Sequence, residues 1–112
     1  MSFSLTKDQV RNKTKFVTRR LGWWFLKPGD VVQACEQCQG LLKGQKFVKI
    51  CQIRIVSTRP EPLKDITLDE VRLEGFPEMS VWEYIQMFTE KMVCLDFDPV
   101  NRIEFEYVED EK

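Results

Sequence analysis

The chain has 112 residues, 43% of them hydrophobic and 12% aromatic, with 17 basic and 18 acidic side chains and no histidine. That size and composition fit one folded domain with its own core and exclude a disordered segment. The lack of histidine removes Ser-His and Cys-His catalytic pairs and imidazole metal sites, so acid–base chemistry falls to Lys, Asp, Glu, Tyr or Cys.

The net charge of −1 hides two poles. Residues 1–30 hold seven cations against Asp8 and Asp30, a net +5, and the remainder carries −6. The basic pole points to a phosphate-bearing partner. It falls short of the strongly basic surface of a duplex-DNA binder. No apolar run approaches the ~18 residues that cross a bilayer. Residues 1–7 show no charged leader ahead of an apolar stretch. A cytoplasmic protein with no membrane association is expected. Its four cysteines then read as reduced thiols.

In chain order, Thr6-Lys7-Asp8-Gln9 has the pattern of a capping box and opens a short helix, with Asn12 suited to the left-handed residue that ends it. Phe16–Arg20 reads as extended. Lys27-Pro28-Gly29-Asp30 is a type II turn, Pro second and Gly third. Val31–Cys35 reads as a strand. Phe47–Thr58 is the longest strand, with Cys51, Ile53 and Ile55 on one face, and Pro60-Glu61-Pro62 breaks it. Thr67-Leu68-Asp69-Glu70 and Ser80-Val81-Trp82-Glu83 are two further capping boxes. The first opens a helix that Gly75 ends. The second opens a helix with Val81, Ile85, Phe88 and Met92 in one stripe. In the last strand Ile103, Phe105 and Tyr107 alternate with Arg102, Glu104 and Glu106, one side buried and one wet. The order is helix, three strands, two helices, strand. It lacks a βαβ rhythm and fits an α+β fold: a small mixed or antiparallel β-barrel with helices capping its openings. One domain spans 1–112, ending in a short acidic tail, 108–112.

The stretch Lys15-Phe16-Val17-Thr18-Arg19-Arg20, with Gly22-Trp23-Trp24 just beyond, is the densest chemistry in the chain. It is either a solvated basic edge beside an aromatic cover or one wall of a site for something anionic and flat. Trp23 and Trp24 can stack bases or close the barrel end. Neighbouring residues of an extended chain point opposite ways, so a ligand meets at most one of them. Cys35-Glu36-Gln37-Cys38 has the spacing of half a zinc ribbon, but a second CxxC is missing and no metal or cofactor is expected. Glu36 reads as a solvated or ion-paired side chain.

Lys15-x-x-Thr18-x-Arg20, then Lys27-Pro28-Gly29-Asp30, resembles the ASCH domain of the PUA-like superfamily. Ile66-Thr67, Glu74-Gly75-Phe76, Met79-Ser80-x-x-Glu83 and Ile103-Glu104-Phe105 follow in that family's order, so the resemblance spans roughly residues 3–107. It implies a PUA-like barrel whose cleft faces RNA, a nucleotide or a modified nucleoside. Arg19, Arg20, Trp23, Trp24 and Lys27 would then be ligand-binding. In an alternative form it implies a small amidohydrolase acting on N4-acetylcytidine-like nucleosides, with Thr18 as nucleophile, Lys15 as base and Glu74 as acidic partner. A third reading is a protein-interaction domain without turnover, dimerising through the exposed face of the Phe47–Thr58 strand. The chemistry of the second form has its own physical footing: a lysine whose pKa is lowered by burial and by Arg19 and Arg20 can deprotonate a hydroxyl. It carries a geometric condition. In a regular strand residues 15 and 18 face opposite ways, so the backbone near Phe16 must be irregular for them to meet.

Overall fold

The computed structural model describes residues 1–36 and 48–109. Its elements are α1 (Lys7–Arg11), β1 (Val17–Arg20), β2 (Val31–Cys35), β3 (Lys49–Pro62), a 3-10 turn (Leu63–Asp65), α2 (Leu68–Leu73), α3 (Val81–Met92) and β4 (Pro99–Tyr107). The strands form one antiparallel sheet in the order β1-β4-β3-β2, curled into a half-barrel. The expected α+β class and element order hold.

The sheet is covered on both faces. Phe3, Val10, Ile53, Ile55, Ile103 and Phe105 pack into one core with α1 and the N-terminal segment. Leu63, Ile66, Val71, Tyr84, Phe88 and Val100 pack into a second with α2 and α3. β4 therefore feeds both cores, Val100 to one and Ile103 to the other. Its first half is buried at four consecutive positions, Val100 to Ile103. The expectation that Arg102 faces water fails for this reason. Alternation of wet and dry survives only toward the Tyr107 end.

The strand expected to stop at Pro60 runs on to Pro62, paired with β4 throughout. β2 accompanies β3 only as far as Arg54. Beyond it only one edge of β3 has a strand partner among the described residues. Pro60 and Pro62 are two apart and present their missing donors to the same edge, so both fit a strand with one unpaired side. A register shift between Ile55 and Ser57 separates the two halves of β3. Ile53 and Ile55 are fully buried and Cys51 packs against the same cluster, as their shared face required. Phe47 and Cys38 lie outside the described residues.

The caps are mixed. Ser80 and Glu83 form the full box. Thr67 accepts the Glu70 N–H at 3.3 Å. Thr6 makes no side-chain cap, its backbone (φ −129, ψ 28) lying outside the extended region a cap adopts, and Gln9 reaches across to donate to the Gly75 carbonyl at 3.0 Å. The left-handed residue after α1 is Lys13 (φ 62), one past Asn12. Gly75 (φ 103) ends α2, and Gly29 (φ 94) makes the Lys27–Asp30 turn, as read. The stripe on α3 is rotated toward Tyr84. Tyr84 and Phe88 are fully buried, Val81 and Ile85 partly so, and Met92 is exposed.

Candidate ligand crevice

The first candidate side chain, Lys15, enters just before β1. After the turn at Lys13 the amides of Thr14 and Lys15 both bond the Gln9 carbonyl, and the Phe16 amide bonds Leu73 of α2 at 2.8 Å. These tethers keep residues 13–16 out of the strand, which starts only at Val17. The alternation that would have set Lys15 and Thr18 on opposite faces does not reach Lys15. Both line one crevice between the N-terminal segment, β1 and α3.

Lys15 is buried, and its ammonium donates to Glu74 twice, to the backbone carbonyl at 2.6 Å and to Oε1 at 2.9 Å. Burial lowers the Lys15 pKa, while Glu74 opposes the shift. Glu74 sits at the C-terminus of α2, directly before Gly75. Its other oxygen accepts from Arg19 Nη1 at 2.9 Å, and its charge faces Tyr84 of α3. Burial, then the Glu74 charge, pushes the Tyr84 pKa well up.

Behind this pair lies a chain of ions. Arg19 also donates to Glu61 (2.6 Å) and Glu70 (3.0 Å). Arg102 forks onto both oxygens of Glu70 at 2.7 and 3.1 Å, and exposed Arg59 closes the outer end on Glu61 and Glu70. Register explains the convergence: Arg19, Arg102 and Arg59 are cross-strand partners on β1, β4 and β3, so all three emerge on the face that α2 covers. Burial works against ionised Glu70, but hydrogen bonds from Arg102 and Arg19 win and hold its pKa below the usual carboxylate range. For Arg19 too, burial opposes the charge, and Glu74 and Glu61 outweigh it. Among the described residues no buried side-chain nitrogen or oxygen lacks a partner.

The crevice itself is about 280 Å³, near the lower end of ligand-sized cavities. Lys15, Thr18, Arg20 and Glu74 form its polar floor. Phe3, Phe76, Phe88, Met87 and Met92 form its apolar wall. Thr18 Oγ1 accepts from Arg20 Nε at 3.2 Å, and the Arg20 guanidinium lies over the Phe3 ring at 4.8 Å. Lys15 and Thr18 share no hydrogen bond in this state; the bonded pair is Lys15–Glu74. A larger hollow of about 520 Å³ is bounded by Val10, Arg11, Lys13, Ile50 and Tyr107, and the buried Lys15–Glu74 pair lines the smaller one.

The other residues read as ligand-binding are placed elsewhere. Arg19 borders the crevice, but its guanidinium is enclosed by three carboxylates. Trp23, Trp24 and Lys27 do not line it. Trp23 packs on the first core beside Phe25 at 5.5 Å, Trp24 is half exposed, and Lys27 stands in its turn. Glu36 is ion-paired with Arg11. No group of three or more metal-ligating side chains occurs among the described residues. Tyr84, Glu61, Glu70 and Arg102 were not legible as site residues. Tyr84 lies one position from Ile85 in a helix whose stripe was set on its neighbours. Glu70 read as a local cap and Arg102 as a wet strand position.

No family model matches the chain, and neither does any curated protein compared with it. Solved structures do. A protein from Enterococcus faecalis V583, of the family model DUF984, has a TM-score of 0.65 at 18% identity, covering 94% of this chain and 71% of that one. An ASCH domain from Lactobacillus crispatus JV V101 has a TM-score of 0.61 at 15% identity, covering 92% and 70%. The fold is ASCH-like, as the ordered motifs implied. No described helix is long and apolar enough to cross a membrane.

Proposed function

We propose that the crevice binds a nucleobase, presented by a modified nucleoside, a nucleotide or single-stranded RNA. The observation that carries this reading is the pairing of a cationic floor, Lys15 and Arg20, with an aromatic wall, Phe3, Phe76 and Phe88, in one base-sized cavity. A flat heterocycle with polar edges satisfies both sides, gaining ~1–3 kcal/mol for each base stacked. The ASCH-like fold supports it as an expectation for the class. The ligand is met by Arg20 and one of the phenylalanines rather than by Trp23 or Trp24. Anisotropy with a labelled single-stranded RNA tests it. Binding is expected to weaken as salt rises, Phe76→Ala to cost about tenfold, and Trp24→Ala to change nothing. Binding insensitive to salt and to Phe76, or lost with Trp24, contradicts it.

A second reading, amide hydrolysis on an N4-acylated cytidine, is favoured by one feature. Lys15, Thr18 and Glu74 border the same crevice, and burial weakens the hold of Lys15 on its proton. Thr18 would attack the amide carbonyl while neutral Lys15, oriented by Glu74, takes the hydroxyl proton and passes it to the cytosine N4 as the C–N bond breaks, and water would then release the acyl group from Thr18 as a carboxylic acid. This needs Lys15 to turn toward Thr18 when substrate enters. Incubation with N4-acetylcytidine is the test. Cytidine should form with the wild type and not with Thr18→Ala or Lys15→Ala. Equal turnover by all three, or none by the wild type, removes the reading.

A further inference from the structure

The hydrogen bonds already made at the floor limit what a ligand can present to it. An ammonium has three hydrogens. Two of those on Lys15 go to Glu74, one to its carbonyl and one to Oε1, which leaves one. The Thr18 oxygen accepts from Arg20, and its own hydrogen has no acceptor among the described residues. The acceptors nearby already take protein hydrogens: Glu74 Oε1 takes Lys15 and Oε2 takes Arg19. The Ser2 carbonyl takes Arg20 Nη2 at 2.6 Å. On Lys15 and Thr18 that leaves one hydrogen each.

We infer that the ligand atom seated against Lys15 and Thr18 is a carbonyl oxygen, so the crevice selects oxo bases such as uracil, hypoxanthine and guanine over adenine, which has none. This rests on the nucleobase reading above and deepens it. A carbonyl oxygen has two lone pairs and can accept from both donors at once. An exocyclic amine in the same place would set its hydrogens against the ammonium and leave a buried ammonium hydrogen without a partner. Sites built to hydrogen-bond one substrate group reject analogues that lack it far more strongly than apolar pockets reject a missing methylene. Arg20 and the apolar wall are indifferent to this choice. They set affinity for any flat base, and the two donors set which base.

Inosine and adenosine make the sharpest pair, since at position 6 one has a carbonyl and the other an amine. Calorimetric titration of the wild-type protein with each is expected to give at least a tenfold preference for inosine. Thr18→Val, close to isosteric, is expected to shrink that preference, with inosine affinity falling more than adenosine affinity. If inosine binds and adenosine binds equally well or better, the selection for a carbonyl is wrong and the nucleobase reading stands. If neither nucleoside binds, the nucleobase reading fails and this inference fails with it. A full preference retained by Thr18→Val would contradict the assignment of the donor to Thr18.

Discussion

Glu74 shows how a single residue can hold a site together. Lys15 and Arg19 each contribute a charge-assisted bond to it, from opposite sides, and all three side chains are buried. Removing one member of such a group leaves the others charged and unpaired, at about 3 kcal/mol. Glu74→Gln is expected to lower unfolding free energy by about that amount in a denaturant titration. A loss under 1 kcal/mol would mean that water replaces the carboxylate, contrary to its burial. Val93 makes a simpler case. It ends α3 in the left-handed conformation (φ 52, ψ 58) while 88% exposed. A β-branched residue there is strained by roughly 1–2 kcal/mol and buries nothing in return. Val93→Gly is expected to raise the melting temperature, and a fall would show that the Val93 side chain has a contact worth more than the strain. Neither residue announced itself locally. Glu74 was legible only through its place in a family-like motif, and Lys13 and Val93 carry no residue-type signal for positive φ, unlike Gly29 and Gly75 in the same chain.

Among the elements, the contact between α1 and the end of α2 positions the site. A Cβ built on Gly75 would lie 2.9 Å from Gln9 Cγ and 3.5 Å from Lys15 Cβ. Gly75 also holds φ 103, which side-chain-bearing residues rarely adopt. Gly75→Ala is therefore expected to cost roughly 1–3 kcal/mol and to weaken ligand binding, because Gln9 must move and Gln9 anchors the turn that carries Lys15. Unchanged binding in a folded Gly75→Ala protein would separate the site from this packing. Sequence periodicity succeeded where an element has one dry face, as around Ile53 and Ile55. It failed where the sheet is covered twice. At Asn101 and Arg102 a polar side chain is buried because its partner comes from another element, which alternation cannot reveal.

Across the whole molecule, the Arg19–Glu61–Glu70–Glu74–Arg102 network joins β1, β3, β4 and α2 beneath the crevice. Its members are 32 to 55 residues apart along the chain where they bond, so no local pattern could assemble them. The network makes stability depend on acid. Glu70 has its folded pKa depressed below the ordinary 4.5, so its contribution is fully present above that value. The contribution is lost as pH falls through the lower, folded value. Thermal melts from neutral pH downward should show wild type and Glu70→Gln well apart near pH 6 and converging as pH falls below 4.5. A gap that stays constant with pH would place the stabilisation in packing rather than charge.

The central claim is that a base enters the crevice between Lys15, Thr18, Arg20 and the Phe3–Phe76–Phe88 wall. Amide and methionine-methyl chemical-shift mapping during titration with inosine tests it most directly. Shifts should concentrate at Phe3, Thr18, Arg20 and Phe76 and at the methyls of Met87 and Met92. Shifts confined to the Trp23–Lys27 loop, or none at saturating nucleoside, would contradict it.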